Sequence, residues 1–407
     1  MQAISKVLNV LSFVLTATAL LATMWIVVPA PYYNVWLVSV LASEWSLLFG
    51  TLALFGIVAG FAAYAIGGKF RFVSVAIGGF AVLLSLYPFF SAYSAAQKQG
   101  VSLSLRHYLA SFPNLENKYS AETNALDYTT HTFGNADGNE LRLDAYLPPE
   151  NVESNGAGII VVHGGSWSAG ERNDFPQWNE WLARQGFAVF DVDYRLAPQP
   201  NYAAATGDVK CAVNWVKRHS SEFGISPDRI ALLGRSAGGH LALLAAYSAG
   251  DARFPSSCQN SGNNFDNSPN ENVRAVVSFY APIDLLWSYD HPANRFVIDG
   301  PATLRRFLGG NPHESEEMRQ RFLLASPVNH VNPLAPPTLL VHGGEDQLVR
   351  DKNAELLDAK LAETQVPHKL VSVPYAQHGF DYNFNGWGSQ IVQTVMLDFL
   401  RENTKER

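Results

Sequence analysis

The sequence predicts an α/β protein in which a mostly parallel central sheet carries helices on both faces and about three transmembrane helices precede the sheet. Two observations lead to this fold class. The first hundred residues contain long apolar runs without charge, whereas the rest of the chain alternates short apolar segments with helical ones. Continuous apolar strands that alternate with helices are typical of a parallel sheet that is covered on both faces.

The composition limits the kinds of partner. The chain has 407 residues, of which 47% are hydrophobic and only 16% charged, and its formal net charge is −7. This acidic balance, without a basic stripe, argues against a nucleic-acid partner. Cys211 and Cys258 are too few for a disulfide framework or a zinc cluster, and the sequence does not decide whether they form one bridge.

Three uncharged apolar segments are predicted to span a membrane, at residues 7–28, 46–67 and 72–95. At about 1.5 Å per residue, each is long enough for a hydrocarbon core of about 30 Å. A cleaved signal peptide is the alternative for the first segment, but the segment is long and two more follow. A buried helical core is the alternative for all three, and such helices usually carry a polar face.

The charges beside these segments predict their orientation. Lys6 precedes the first segment and Lys69 and Arg71 lie between the second and third, whereas residues 29–45 contain no Lys or Arg. The positive-inside rule then places the N-terminus in the cytoplasm and the following domain on the outer, periplasmic or extracellular, face. Residues 35–43 are also apolar, and Lys98 and Arg106 lie just past the third segment. A miscounted span would reverse this orientation.

The chain therefore divides into a membrane region at residues 1–97, a linker at residues 98–125 and an α/β domain at residues 126–407. Residues 103–112 of the linker are either an interfacial segment or an ordinary helix. Strands are predicted at residues 128–133, 140–146, 159–162, 187–192, 229–233, 273–280, 338–342 and 368–373, the first two joined by a turn at residues 134–138. Helices are predicted at residues 175–185, 208–219, 241–246, 352–363 and 390–403. We expect an exposed loop at residues 251–272 and short helices over the mouth of the site at residues 285–324.

One short motif, residues 234–240 (GRSAGGH), joins a predicted strand to a predicted helix around Ser236. Gly234 and Gly238 flank this serine where a tight turn brings two backbones together, as in a nucleophile elbow. The amide of Ala237, at the start of the helix, points at the same space. A glycine-rich turn without catalytic function is the alternative for this motif alone.

Ser236, Asp346 and His378 all follow predicted strands, at the sheet edge where α/β proteins build their sites. We expect His378 to take the proton of the Ser236 hydroxyl, and Asp346 to orient the imidazole and stabilise its charged form. Glu345 and Asp351 are rival acids, although neither stands so directly at the end of a strand.

A fourth element of the site is predicted at residues 163–166 (HGGS), directly after a strand. Glycines there let backbone amides approach a developing oxyanion without obstruction by side chains. We therefore expect the amides of Gly164, Gly165 or Ser166, together with that of Ala237, to form an oxyanion hole. A flexible glycine loop is the alternative.

These motifs carry a resemblance that covers the chain from about residue 128 to residue 403. With residues 163–167 (HGGSW), 193–198 (DYRLAP), 234–240 (GRSAGGH) and 342–346 (HGGED), the chain resembles the α/β-hydrolase superfamily. It is most similar to hormone-sensitive-lipase-like carboxylesterases and their feruloyl-esterase and kynurenine-formamidase-like relatives; residues 307–310 (FLGG) and 326–327 (SP) are similar to the feruloyl-esterase branch.

The resemblance implies an α/β-hydrolase fold with Ser236 as nucleophile, Asp346 as acid and His378 as base. Lipase-like members usually have a third glycine where this chain has Ser166, and an acidic residue where it has Arg235. Both departures favour the esterase and formamidase branch over the lipase branch, and neither affects the triad.

The leading hypothesis is a membrane-anchored serine hydrolase that cleaves short-chain or aromatic carboxylic esters through an acyl-enzyme on Ser236. An amide, formamide or peptide hydrolase with the same triad is the first alternative, and a non-catalytic interaction protein of this fold is the second. A transporter is disfavoured because the apolar segments carry no charge. We expect a small-molecule ester and the lipid bilayer as partners, and neither a metal nor a cofactor. The oligomeric state and the natural substrate do not follow from the sequence.

Overall fold

The computed structural model describes residues 1–69, 72–111, 125–136, 138–197, 201–260 and 271–406. Several predicted features lie outside these ranges. They are Arg71, part of the linker (residues 112–124), one residue of the hairpin turn (Asp137), the last residue of the DYRLAP motif (Pro198) and part of the predicted loop (residues 261–270).

Three helices of the described chain are long and apolar enough to cross a membrane. They are α1 (Gln2–Thr23, extended by a 3₁₀ turn at Met24–Ile26), α3 (Ser46–Ala65) and α4 (Phe72–Gln99). Small residues lie where these helices meet. A Cβ on Gly56 would collide with Thr16 of α1, and a Cβ on Gly50 with Ser85 of α4. The three helices therefore pack closely, as membrane helices with small contact residues do.

Between α1 and α3 lies a shorter helix, α2 (Tyr33–Glu44). Its 12 residues extend about 18 Å, which is too short to cross a hydrocarbon core. The apolar stretch at residues 35–43 is therefore not a further span. Helix α2 contacts α1, α3 and α4, and it also packs against the α/β domain.

The α/β domain is built on one sheet of eight strands. The strands are β1 (Tyr128–Ala136), β2 (Asn139–Tyr146), β3 (Gly158–Val162), β4 (Ala188–Val192), β5 (Ile230–Arg235), β6 (Ala275–Phe279), β7 (Thr338–Gly343) and β8 (His368–Val373). Their order is β1-β2-β4-β3-β5-β6-β7-β8. The pairs β1–β2 and β2–β4 are antiparallel, and the remaining pairs are parallel. The predicted mostly parallel sheet is confirmed.

The remaining helices follow the predicted order. They are α5 (Leu105–Ala110), α6 (Pro176–Arg184), α7 (Tyr202–Arg218), α8 (Ala237–Tyr247), α9 (Leu285–Asp290), α10 (Gly300–Leu308), α11 (Glu316–Leu324), α12 (Lys352–Glu363) and α13 (Trp387–Thr404). Helices α9 to α11 are the short helices expected at residues 285–324. Helix α7 begins six residues before its predicted start, and Ala205, Thr206 and Gly207 of this added segment are buried.

Two hydrophobic cores cover the two faces of the sheet. One contains side chains of α7, α8 and α12, and the other contains side chains of α6 and α13. The second core also takes in Ala92, Ala95 and Ala96 at the end of α4. Tyr108 of α5 is buried there, and its ring stacks on Trp387 with centroids 4.1 Å apart. The end of α4 and α5 therefore pack the apolar helices onto the α/β domain.

The expectation of an exposed loop at residues 251–272 is wrong for its described beginning. Phe254 and Cys258 are buried, and Cys258 forms a disulfide with Cys211 of α7, with Cα atoms 5.1 Å apart. Polar composition suggested exposure, but the bridge and Phe254 hold this segment against the domain.

Candidate active site

Ser236 stands at a strained turn between β5 and α8. Its backbone has φ 52° and ψ −119°, which a residue with a side chain adopts only where its surroundings enforce it. The neighbouring glycines permit the turn. A Cβ on Gly234 would collide with the carbonyl oxygen of Gly238, and a Cβ on Gly238 with the backbone of Val162. The sequence GRSAG thus forms the predicted sharp elbow with the serine at its tip.

His378 lies between Ser236 and Asp346. Its Nε2 is 2.9 Å from Oγ of Ser236, and its Nδ1 is 2.7 Å from Oδ2 of Asp346. The three residues follow β5, β7 and β8 at the C-terminal edge of the parallel strands. The structure thus brings the three predicted catalytic side chains into hydrogen-bonding order, with the imidazole able to exchange a proton with the hydroxyl.

Asp346 is surrounded by donors that favour its charged form. Its Oδ1 accepts the N–H groups of Leu348 at 2.8 Å and Val349 at 2.9 Å. Its Oδ2 faces His378 and also His342, whose Nε2 is 3.3 Å away. Burial by itself would raise the pKa of this carboxyl, but the two imidazoles lower the pKa below its ordinary value. A permanent carboxylate can fix the tautomer of His378 and stabilise the imidazolium.

The rival acids lie apart from the imidazole. Glu345 is half-buried, and burial raises its pKa. Asp351 precedes α12 as its N-terminal boundary residue. In the part of the chain that the structure describes, no hydrogen bond joins either carboxylate to His378.

The residues predicted for the oxyanion hole line the same cavity as Ser236 and His378. They are Gly164, Gly165, Ser166 and Ala237. Gly164 lies against Ser236, because a Cβ on Gly164 would come within 3.5 Å of the Cβ of Ser236. Gly165 and Ser166 have positive φ angles of 108° and 54°, so the backbone turns sharply beside the site. Such a turn and the N-terminus of α8 can direct N–H groups at one point.

A neutral histidine supports this turn from behind. Trp167 donates its indole N–H to Nδ1 of His240 at 3.2 Å, and Nε2 of His240 is 2.8 Å from the carbonyl oxygen of Ala325. Nδ1 must accept and Nε2 must donate, which only a neutral imidazole can do. Burial lowers the pKa of His240 to about 4, in agreement with that tautomer.

A buried polar network surrounds Arg235, the residue before Ser236. Nε of Arg235 lies 2.6 Å from Oδ2 of Asp381, whose Oδ1 accepts a 2.5 Å hydrogen bond from the hydroxyl of Tyr280. The guanidinium carbon is 4.1 Å from the ring centroid of Phe175. The ring of Tyr280 also packs on His378, with centroids 4.4 Å apart. The elbow and the imidazole therefore share one supporting network.

A cavity of about 380 Å³ opens above Ser236 and His378. Its walls come from the 163–167 turn, from α9, α10 and their connection, from the segment after Asp346, and from Tyr33 and Trp36 of α2. Apolar side chains dominate this lining. A concave, mostly apolar cavity of this volume is typical of a small-molecule site. Among the described residues, no cluster of three or more His, Cys, Asp or Glu side chains is arranged to hold a metal ion.

Sequence reasoning missed several residues of the site. His342 belongs to the HGGED motif, and its position before Asp346 was the available signal. Asp381 follows His378 by three residues, but nothing in the sequence indicates its pairing with Arg235. Tyr33 and Trp36 lie in an apolar connection between predicted spans, where no pattern distinguishes a cavity wall from a membrane-associated segment.

The profile of the BD-FAE family matches residues 143–361 of the chain. The chain is 31% identical over 254 residues to the probable carboxylic ester hydrolase LipM of Mycobacterium tuberculosis, covering 60% of this chain and 54% of LipM. It is 27% identical over 311 residues to the esterase LipQ of the same organism, covering 75% of this chain and 67% of LipQ. The chain thus spans between half and two thirds of the length of these relatives.

Solved esterase structures share the fold. The native esterase Est2 of the planctomycete Thermogutta terrifontis superposes with a TM-score of 0.53 at 24% identity, covering 69% of this chain and 93% of that chain. A truncated carbohydrate esterase from gut microbiota gives a TM-score of 0.55 at 24% identity, covering 69% and 97%. At this identity the similarity establishes the α/β-hydrolase fold alone.

Proposed function

Because the chain belongs to the BD-FAE family, we propose that it is a membrane-anchored serine hydrolase that cleaves carboxylic esters through an acyl-enzyme on Ser236. The observation that carries this proposal is the contact of His378 with both Ser236, at 2.9 Å, and Asp346, at 2.7 Å. The names of the relatives LipM and LipQ support the same reaction class.

The first half-reaction forms the acyl-enzyme. His378 takes the hydroxyl proton of Ser236 while Oγ attacks the carbonyl carbon of the ester. The backbone N–H groups of residues 164–166 and of Ala237 stabilise the oxyanion. The bond to the alcohol oxygen then breaks, and His378 gives its proton to the departing alcohol. Throughout, the carboxylate of Asp346 stabilises the transient imidazolium.

The second half-reaction releases the acid. A water molecule attacks the acyl carbon and gives a proton to His378, which passes it to Oγ of Ser236 as the acyl bond breaks. Ester and water are consumed, alcohol and acid are released, and the enzyme returns to its starting state.

We place the catalytic domain on the outer face of the membrane. Lys6 and Lys69 lie at the ends of the apolar helices that the positive-inside rule assigns to the cytoplasm. The disulfide between Cys211 and Cys258 supports the same side, because such bonds persist in oxidising compartments.

The test is hydrolysis of p-nitrophenyl esters from acetate to palmitate by the detergent-solubilised full chain and its Ser236→Ala variant. We expect turnover that the variant loses, together with labelling of the unaltered protein by a fluorophosphonate. Ser168→Ala is the matched control, because this nearby serine does not line the cavity, and it should keep its activity. Folded protein that is neither labelled nor active on any ester would refute the proposal; labelling without ester turnover would indicate an amide substrate instead.

A further inference from the structure

Helix α2 contributes to the wall of the catalytic cavity. Tyr33 and Trp36 line the same cavity as Ser236 and His378, although they lie between two membrane helices in the sequence. Trp36 is buried against Val297 of the α/β domain, beside Leu348. Since Leu348 follows Asp346 by two residues, α2 meets the catalytic domain next to the predicted acid.

Hydrogen bonds hold the beginning of α2 in this position. Ala30, just before the helix, donates its N–H to Oε1 of Gln347 at 2.7 Å and accepts a bond from Nδ2 of Asn294 at 2.5 Å. Gln347 in turn donates to Gln377 at 3.3 Å. Gln347 and Gln377 directly neighbour Asp346 and His378, so the approach to α2 is tied to the residues beside the acid and the base.

The end of α2 is held as well. Glu44 is only 2% exposed, and its carbonyl oxygen accepts a hydrogen bond from Nδ2 of Asn383 at 3.3 Å. A Cβ on Gly386 would collide with the Glu44 carboxyl, so the backbone of the catalytic domain closes tightly around this residue. Both ends of α2 therefore contact the domain, and its first turn, with Tyr33 and Trp36, forms part of the cavity wall.

The outer face of α2 is apolar and uncovered. Tyr33, Leu37 and Leu41 are 51%, 41% and 49% exposed, and their spacing of four residues places them on one face of the helix. Tyr33 belongs both to this exposed row and to the cavity lining. Tyr33 stands at the start of α2 and Leu41 near its end, and α3 begins two residues after α2 ends. The row therefore leads from the cavity towards the start of α3.

We propose that α2 is a substrate-binding element of the active site, whose Tyr33 and Trp36 hold the apolar group of an ester that partitions into the membrane. The inference rests on the proposed esterase function and narrows its substrate class to amphipathic, lipid-like esters. The ester group reaches Ser236 while the apolar group lies against α2. Small water-soluble esters bind without using this wall.

The experiment compares p-nitrophenyl acetate with p-nitrophenyl dodecanoate, using the full chain in detergent micelles and its Tyr33→Ala and Trp36→Ala variants. We expect kcat/KM for the dodecanoate to fall about tenfold or more, mainly through KM, because each variant removes apolar contact area. For the acetate, kcat/KM should change by less than about threefold. Trp36→Phe should keep most of the kcat/KM for the dodecanoate that Trp36→Ala loses, since it retains an aromatic ring.

Two controls separate binding from structure. Tyr93→Ala removes an equally exposed aromatic side chain from α4, outside the cavity lining. This variant should leave kcat/KM for both esters unchanged. Labelling of each variant with a methyl fluorophosphonate reports whether Ser236 is still reactive, and a dodecyl fluorophosphonate repeats the chain-length comparison without needing ester turnover.

An equal loss on both esters, or no loss on either, would overturn the α2 proposal while leaving the esterase proposal intact. If the unaltered protein reacts with both phosphonates but hydrolyses no ester, the esterase proposal fails, and the labelling rates still show whether α2 discriminates chain length.

Discussion

Asp381 neutralises Arg235 inside the protein, directly beside the strained Ser236. The two side chains are 0% and 2% exposed, with 2.6 Å between Oδ2 and Nε. Because burial of an unpaired charge is costly, each residue depends on the other. Arg235 stands where lipase-like proteins usually have an acidic residue. The pair of Arg235 and Asp381 therefore distinguishes the turn around Ser236 in this chain from the corresponding turn in those proteins.

Removal of one partner should therefore lower the stability of the protein. We expect Asp381→Asn to lower the free energy of unfolding by about 3–5 kcal/mol, because it leaves the guanidinium without its counter-charge. The double variant Arg235→Met/Asp381→Leu, without buried charge, should be more stable than Asp381→Asn. Urea unfolding of the detergent-solubilised proteins measures both values, and a double variant no more stable than the single one would contradict the argument.

Asp346 should matter for catalysis far more than its neighbour Glu345. Asp346→Asn removes the carboxylate that orients His378, and we expect kcat to fall about 10⁴-fold with a smaller change in KM. Glu345→Gln, the matched control, should change kcat less than about threefold. Steady-state kinetics on a p-nitrophenyl ester measures kcat for both variants. A larger fall of kcat in the Glu345 variant would show that Glu345, and not Asp346, is the acid of the triad.

His240 should make the protein lose stability in mild acid. Its pKa is lowered to about 4 by burial, while an unfolded histidine titrates near 6.5. Below pH about 6.5 the unfolded chain therefore binds a proton that the folded chain does not, and the free energy of unfolding falls by up to about 1.4 kcal/mol per pH unit until about pH 4. Above that window this residue contributes no pH dependence.

The measurement compares urea unfolding at pH 7 and pH 5 for the unaltered protein and His240→Asn. The variant should be less stable at pH 7, because the hydrogen bonds of Trp167 and Ala325 are disturbed. Its free energy of unfolding should nevertheless fall less between pH 7 and pH 5 than that of the unaltered protein. Some dependence should remain, since burial also lowers the pKa of His163 and His330. Identical losses in both proteins would show that His240 titrates normally.

The disulfide should stabilise the domain considerably. The bridge joins residues 47 positions apart, and the loop-entropy relation assigns such a closure about 4 kcal/mol. We expect the Cys211→Ala/Cys258→Ala variant to unfold at lower urea concentration, and reductant to shift only the unaltered protein. Alkylation of Cys211 and Cys258 without prior reduction would contradict the bridge.

The arrangement of the site was largely accessible from the sequence because it depends on local signals. The glycines around Ser236 are required by close backbone approach. The strand before Asp346 contains an apolar run, and the strand before His378 ends with alternating buried and exposed residues. Parallel strands bring their C-terminal ends to one edge, so three distant side chains could be expected near one another.

Contacts between distant segments could not be predicted. The pairing of Asp381 with Arg235, and the cysteine bridge, depend on how the segments are packed in three dimensions. The polar composition of residues 251–272 suggested exposure, although Phe254 and Cys258 are buried. The position of helix α2 at the cavity wall could not be predicted for a different reason. Its apolar residues have the same pattern whether they face lipid, a protein core or a substrate cavity.

The attachment of α2 also has a consequence for the order of folding. Ala30 and Glu44 find their partners 317 and 339 residues later in the chain, so α1 to α4 are synthesised long before β7 and β8. Contacts of such sequence separation form late. The α2 wall of the cavity, Asp346 and His378 therefore come together only when the final strands are in place. A nascent chain that ends before β8 therefore holds Ser236 without its hydrogen-bond partner His378.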